Sequence, residues 1–174
     1  IEKLIKSLVE NQCDLVVPKI YYYDRPDLIW CAGGYFNPRR AYGGYHWGID
    51  EVDHGQWDTP QRIDYSPTCC MLIKRQVFDT AGYMDEKYFV YYDDTDFCFR
   101  VMQAGLKMFY IPNARLEHKV SSLTGSESTF TLRYMARNRA YFIKKNLKFT
   151  QQLMALAYYQ GWALFRLLRR QDTP

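Results

Sequence analysis

Three carboxylates fall within four residues of the segment YYDDTDFCFR, residues 91–100, and together they are the most reactive cluster of the sequence. They open a predicted helix, whose dipole and free N–H groups stabilise a carboxylate, so we interpret Asp93 as the N-cap. Asp96 and Arg100 stand four residues apart and predict a surface ion pair. Asp94 has no such structural explanation. We expect it to project into a cleft, as a general base must.

Other candidates for chemistry are weaker. Asp94 and Asp96 form a DxD pattern, which many metal–diphosphate sites share, but such pairs usually lie in a turn after a strand and this one opens a helix. His118 follows a short predicted strand, and a lone His is more commonly structural than a ligand. His46 and His54 have no spacing that indicates a metal site.

The elements that position these residues alternate between helix and strand. Apolar periodicity predicts helices over 1–11, 74–80, 93–104, 130–147 and 151–169, and strands over 14–23, 63–73, 106–111 and 115–119. Between 24 and 62 the chain is rich in Gly and aromatic residues without clear periodicity, which is typical of a functional loop. The first helix and strand match the second half of a βαβ unit, so we expect the chain to be truncated.

The amino-acid composition is that of a globular protein. The chain has 174 residues, of which 48% are hydrophobic, 24% charged and 17% aromatic, which excludes a disordered or collagenous chain. Five Cys without CxxC spacing argue against a disulfide framework or a structural zinc site and favour a reducing compartment. The longest apolar stretch, 153–168, is too short and too interrupted to predict a transmembrane helix.

Charge is distributed unevenly. Between 128 and 171 the chain carries nine basic residues and no acidic one, whereas the part before it is net acidic. The nine are Arg133, Arg137, Arg139, Lys144, Lys145, Lys148, Arg166, Arg169 and Arg170. We therefore divide the chain into 1–127 and a basic helical section, 128–174. An anionic partner would suit the basic section, and a solvated helix face would explain it equally well.

Several motifs occur in one order that resembles a known family. The series CCMLIKRQVFDTAGYMDEKYFVYYDDTDFCFRVMQAGLKMFYIPNARLEHKVSS, with IWCAGGYF before it and RYMARNRAYFIKKN after it, resembles the C-terminal half of the catalytic domain of family 2 glycosyltransferases. It is most similar to the rhamnosyltransferase-like bacterial branch, over about residues 12–146. The resemblance implies an α/β fold of the GT-A (Rossmann-like) type that lacks its N-terminal nucleotide-binding half and continues into C-terminal helices. It also implies an inverting reaction.

The same resemblance implies roles for individual residues. Asp93 and Asp94 match an acidic pair that is usually Glu-Asp, with the second acid as general base. His118 matches a His that joins the donor-side metal site in some members. Gly33 and Gly34 match a loop over the sugar pocket, and the Arg-Asn pair downstream matches one near the site. The expected substrate-binding residues are Trp30, Gly33, Gly34, Asp96, Arg137 and Asn138.

The resemblance predicts a fragment of an enzyme that transfers a sugar from a nucleotide-diphosphate sugar to a glycan or lipid-linked acceptor, in bacterial cell-surface polysaccharide synthesis. The family's metal-binding DxD would precede Ile1, so a divalent metal, Mn²⁺ or Mg²⁺, is expected only with that half. This chain alone is expected to be inactive. We further expect a cytoplasmic protein, peripheral to the inner membrane, that could dimerise through bare sheet edges.

Three other functions remain as alternatives. A non-catalytic carbohydrate-binding module would use the aromatic segment 21–57. A metal-dependent phosphohydrolase would use Asp93, Asp94, Asp96 and His118 as ligands. Nucleic-acid binding ranks last, and we expect none, because the acidic part of the chain would repel a phosphate backbone.

Overall fold

The computed structural model describes residues 1–120 and 128–171, with side chains up to residue 165. The helices of these residues are Glu2–Glu10 (α1), Arg75–Ala81 (α2), Asp93–Gln103 (α3), Thr129–Asn146 (α4) and Phe149–Gln171 (α5). The strands are Leu15–Tyr22 (β1), Ile29–Cys31 (β2), Gly34–Asn37 (β3), Gly43–His46 (β4), Gln61–Ile63 (β5), Leu72–Ile73 (β6) and Met108–His118 (β7). The fold is α/β, as the sequence predicts.

The main sheet is mixed and centres on β1 and β7. Its order is β2-β1-β7-β5, with β6 also paired to β1, and β1 and β7 run parallel while the other pairs are antiparallel. β3 and β4 form a separate antiparallel pair. Seven of the eight residues of β1 are buried, which is typical of a strand covered on both faces. This arrangement brings the carboxyl ends of β1 and β7 to one edge.

A bulge joins the two strands predicted around Pro112 into one. Pro18 of β1 pairs with Ile111 and the next residue, Lys19, pairs with Arg115, so residues 112–114 have no counterpart on β1. Pro112 has no N–H to donate, and a bulge lets the strand continue past it. The prediction of a break was therefore wrong. The continued strand carries His118 to the edge where β1 ends.

The helices α1, α2, α4 and α5, and strand β1, agree with the sequence prediction within two residues at each end. The predicted strand over 63–73 was wrong, because only β5 and β6, near its two ends, are extended. The predicted loop over 24–62 contains β2, β3 and β4. These strands have only three or four residues each, too few for an alternating pattern to be recognised.

A buried lysine at the centre of β1 attaches the aromatic loop that follows β4. The Lys19 side chain is 1% exposed, and its Nζ lies 2.8 Å from Asp53 Oδ2 and 2.5 Å from Asp58 Oδ1. Burial opposes the charge of Asp53, but hydrogen bonds from Lys19 and Tyr21 lower its pKa to about 2. The loop is thereby bound to the main sheet by paired charges.

The predicted ion pair between Asp96 and Arg100 is present, with 2.8 Å between Arg100 Nε and Asp96 Oδ2, but its predicted location on the surface was wrong. Asp96 is 0% exposed. Its carboxylate accepts hydrogen bonds from Tyr88 Oη at 3.0 Å, Arg100 Nε at 2.8 Å and Asn146 Nδ2 at 2.8 Å, and Lys145 Nζ lies 2.9 Å away. Two of these partners belong to α4, so the buried carboxylate fastens α3 to α4.

Two further features bear on the class of protein. All five Cys residues are free thiols. Along the described residues, no helix is both long enough and apolar enough to cross a bilayer.

We expect Asp96→Asn to lower the free energy of unfolding by about 3 kcal/mol, because it leaves Arg100 without its buried counter-charge and Lys145 with Asp85 alone. Denaturant unfolding of the 174-residue chain would measure this loss. Asp79→Asn, at an exposed position of α2, is the matched control and should change stability by less than about 0.5 kcal/mol. Equal effects of the two substitutions would contradict a fastening role for Asp96.

Candidate active site

Four residues that the sequence singles out meet in one cleft of about 500 Å³. They are Trp30, Asp93, Asp94 and His118, and His46, Tyr65 and Tyr91 line the same cleft. His118 is the last residue of β7, so the cleft lies where the parallel strands end, the usual position of ligand sites in α/β sheets. The acid pair enters from the first turn of α3.

The backbone before the acid pair is strained. Phe89, Tyr91 and Tyr92 all have positive φ, between 61° and 67°, although none is Gly. Each such residue costs on the order of 1–3 kcal/mol and persists only where its surroundings hold it. Tyr92 is the N-cap of α3, without a side-chain hydrogen bond. The prediction that Asp93 is the N-cap was therefore wrong, and Asp93 is the first residue of the helix.

Asn138 of α4 holds this strained segment. Its Nδ2 lies 2.9 Å from the carbonyl oxygen of Tyr88, 2.6 Å from that of Val90 and 2.9 Å from that of Tyr91. Arg137 donates to Asn138 Oδ1 at 2.7 Å and to a backbone carbonyl just before the segment at 2.8 Å. Asn138 is 0% exposed, so its side chain positions the acid pair from behind and does not reach the cleft.

Asp94 has the environment of a base. Its Oδ1 accepts hydrogen bonds from the Thr95 N–H at 2.6 Å and from Thr95 Oγ1 at 3.1 Å, and its Oδ2 accepts a longer one from Tyr65 Oη at 3.3 Å. Burial and the adjacent charge of Asp93 raise the pKa of Asp94 to about 6. The carboxylate is therefore ionised at neutral pH, yet binds a proton much more readily than an ordinary Asp.

Aromatic and imidazole rings form the wall facing the acid pair. The Trp30 ring lies 5.0 Å from that of His46 and 4.8 Å from that of His118, and the His46 ring lies 5.6 Å from that of Tyr65. Burial lowers the pKa of both histidines, so both are neutral at pH 7. The sequence did not indicate His46 or Tyr65, because they come from a short hairpin and a loop with no recognisable spacing.

The cleft does not supply a complete metal site from the described residues. A neutral His118 could ligate a divalent ion, but within 1–120 and 128–171 no group of three or more His, Cys, Asp or Glu residues is placed to hold one. Asp96 is committed to four protein partners. The four-ligand set of a metal-dependent phosphohydrolase is therefore not assembled.

Gly33, Gly34 and Asp96 lie behind the cleft surface. Both glycines are buried, and a Cβ on Gly33 would lie 2.7 Å from Ile63 Cγ2, while one on Gly34 would lie 2.0 Å from the Tyr45 carbonyl oxygen. Close packing thus explains both glycines. Gly43 and Gly44 of β4 line an adjoining part of the cleft, a cavity of about 330 Å³ that shares Trp30 and Asp94 with the first part.

No family model matches the chain. It is 26% identical to the low-salt glycan biosynthesis hexosyltransferase Agl10 of Haloferax volcanii over 113 residues, 61% of this chain and 36% of the relative. It is 36% identical to the N-acetylglucosaminyl-diphospho-decaprenol L-rhamnosyltransferase of Mycobacterium tuberculosis over 58 residues, 33% of this chain and 19% of the relative. It is 26% identical to the dTDP-rhamnosyl transferase RfbF of Shigella flexneri over 103 residues, 55% of this chain and 34% of the relative. All three relatives are glycosyltransferases.

The similarity supports a glycosyltransferase family for this chain, in agreement with the motifs. The chain spans about a third or less of the length of these relatives. The α/β fold is compatible with a glycosyltransferase domain.

Asp94→Asn should stabilise the protein in a pH-dependent way. Because the folded state raises the pKa of Asp94 from 3.8 to about 6, the stability that protonation contributes is present below about pH 4 and is lost as pH rises through about 6. The uncharged Asn does not suffer this loss. We expect its stability advantage over the wild type to grow by up to about 3 kcal/mol between pH 4 and pH 8.

Thermal and denaturant unfolding of the 174-residue chain at both pH values would measure that gain. The matched control is again Asp79→Asn, whose exposed carboxylate has no comparable environment. A gain for Asp94→Asn that does not change between pH 4 and pH 8 would contradict the raised pKa.

Proposed function

We propose that this chain is the acceptor-side part of an inverting, family 2 glycosyltransferase with a GT-A fold. The enzyme would transfer a sugar from a nucleotide-diphosphate donor to a hydroxyl of a glycan or lipid-linked acceptor. The observation that carries the proposal is Asp94, a carboxylate with a pKa of about 6 in a cleft lined by aromatic rings. Glycosyltransferases matched by sequence support the same reaction class.

Sugar transfer with inversion needs a base that removes the proton of the acceptor hydroxyl as its oxygen attacks the anomeric carbon. The bond from that carbon to the departing diphosphate breaks on the opposite face. Oδ1 of Asp94 is held by two hydrogen bonds from Thr95, whereas Oδ2 accepts a single long one from Tyr65. Oδ2 is therefore the better placed atom to receive the proton.

The walls of the cleft suit a pyranose ring. Trp30, Tyr65 and Tyr91 present aromatic surface beside the acid pair, and a sugar has apolar C–H faces that pack on such rings. Asp93 keeps a negative charge beside Asp94 and so keeps the pKa of the base raised. Its proposed role is electrostatic.

A divalent metal belongs to the proposal only with ligands from outside the described residues. His118 is the candidate metal ligand of this chain, and no step described above depends on the ion. A chain that spans about a third of its relatives is also proposed to lack turnover by itself. Sugar transfer catalysed by the purified 174-residue chain would refute that part of the proposal.

In the enzyme that contains this chain, Asp94→Asn should lower kcat by about 10²–10⁴, because it removes the general base without changing the shape of the cleft. The wild-type kcat should fall as pH drops below about 6, where Asp94 becomes protonated. Steady-state transfer assays between pH 5 and pH 8 would measure both effects.

Acceptor affinity should survive Asp94→Asn, and Asp79→Asn is the matched control, expected to leave kcat unchanged. A near-normal rate for Asp94→Asn would refute the assignment of the base. Glycan binding without any transfer by the complete protein would instead favour a carbohydrate-binding module.

We also propose that α4 and α5 rest on an anionic membrane surface. Large apolar side chains are exposed along both helices: Phe130, Leu132, Met135, Phe149, Leu153, Met154, Leu156, Leu164 and Phe165. The charged residues from 128 to 171 are all basic. Exposed apolar side chains beside positive charge suit an interfacial helix, and a lipid-linked acceptor would be met at such a surface.

Liposomes containing anionic lipid should bind the 174-residue chain at low salt, and binding should weaken at 0.5 M salt. Leu153, Leu156 and Leu164 lie on one face of α5, and replacing all three with Ser should weaken binding by about tenfold or more. Val9→Ser, at an exposed apolar position of α1, should have no effect. Equal liposome binding by the triple variant and the wild type would refute the proposed membrane contact.

A further inference from the structure

A second cavity, of about 290 Å³, continues the cleft beyond the acid pair. Gly43, Gly44 and Tyr92 line both this cavity and the part of the cleft that contains Asp94. Asp93 and His118 line the opposite part of the cleft. The second cavity and the cleft therefore adjoin, and Asp94 lies between the second cavity and the end of the cleft lined by Asp93 and His118.

The second cavity is positively charged. Arg40 and Arg139 line it, no acidic residue does, and within the described part of the chain neither arginine has a carboxylate at ion-pair distance. Arg40 Nη1 donates to Tyr45 Oη at 3.4 Å, and the Arg139 guanidinium lies 4.3 Å from the centre of the Tyr159 ring. Aromatic rings orient both charges without neutralising them. Two such guanidinium groups are suited to phosphate oxygens.

The turn after the 3-10 helix Pro38–Arg40 places Arg40 beside the second cavity. Ala41 and Tyr42 both have φ of 56°, so the chain reverses sharply after the 3-10 helix Pro38–Arg40. Gln151 of α5 donates to Tyr42 Oη at 2.8 Å and ties this turn to the helix that forms the other wall. A short turn between antiparallel strands commonly requires positive φ, so the turn between β3 and β4 explains this conformation and fixes the position of Arg40.

One wall of the cavity leads outward along α5. Tyr158 and Trp162 line the cavity, and Phe165 stands on the same helical face one turn further on. Trp162 is 46% exposed and Phe165 is 53% exposed. The cavity thus combines positive charge near Asp94 with an aromatic strip that runs away from it.

We propose that this cavity binds the diphosphate of a lipid-linked acceptor, with its hydrocarbon chain along the aromatic strip of Tyr158, Trp162 and Phe165. The assignment to the acceptor rests on the proposed function, since the donor and acceptor must approach the reacting carbon from opposite sides. The end lined by Asp93 and His118 is left for the donor. A nucleoside diphosphate has the same phosphate groups but no hydrocarbon chain that could pack along the aromatic strip.

Calorimetry with the 174-residue chain tests the site without turnover. Geranyl diphosphate, a soluble prenyl diphosphate, should bind, and Arg40→Gln and Arg139→Gln should each weaken binding by about tenfold or more, the loss of a charge-assisted contact. Trp162→Ala should weaken the binding of geranyl diphosphate but not the binding of inorganic pyrophosphate. Arg39→Gln is the matched control, since Arg39 is exposed on the same 3-10 helix outside the cavity, and should bind as the wild type does.

Arg139 packs on Tyr159, so its substitution could disturb the fold, but Arg40 is exposed and its variant keeps the test valid. Absence of binding, or equal affinity in the wild type and Arg40→Gln, would overturn the site. Tighter binding of UDP or dTDP with the same dependence on Arg40 would overturn its assignment to the acceptor. The two proposals fail separately. Loss of geranyl diphosphate binding would overturn this site, whereas a near-normal kcat of Asp94→Asn in the enzyme that contains this chain would refute the general base and leave the binding result unchanged.

Discussion

The position of the acid pair depends on polar contacts that α4 makes inside the protein. Asn138 binds the carbonyl groups of the strained segment before Asp93, and Lys145 and Asn146 bind Asp96 on the buried side of α3. Every contact lies between segments about 50 residues apart in the chain. The acid pair is therefore held in position by the docking of α4, so the basic helical section contributes to the site.

The acid pair illustrates a conflict between stability and chemistry. The three residues with positive φ before the acid pair cost conformational free energy. The partly buried charge of Asp94 beside Asp93 costs electrostatic free energy. The protein offsets these costs with a buried network around Asp96 and Asn138, where every polar group has a partner. Under the proposed function, this stabilisation on one side of α3 would hold Asp94 in place as a base with a raised pKa.

The sequence predicted the longer helices from their periodic pattern and the central strand from its continuous apolar run. The family resemblance placed Trp30, Asp93, Asp94 and His118 in one site, and these four line the cleft, whereas the other expected site residues do not. The sequence misjudged the location of Asp96, since an i, i+4 pair with Arg100 looks the same on a surface as in a buried network. His46 and Tyr65 could not be found, because strands of three or four residues leave no pattern and their proximity arises only from tertiary packing.

The fold places basic and acidic side chains in neighbouring cavities. Arg40 comes from the loop-rich part of the chain and Arg139 from α4, yet they face one cavity whose lining contains no carboxylate. In the adjoining cleft, the carboxylates of Asp93 and Asp94 disfavour an anion that has no cation beside it. Under the proposed function, an acceptor that carries a diphosphate would therefore be held in one orientation, with its negative charge at the arginines. In that orientation the group nearest Asp94 is the uncharged part of the substrate, such as a sugar hydroxyl, which is the part that a general base must reach.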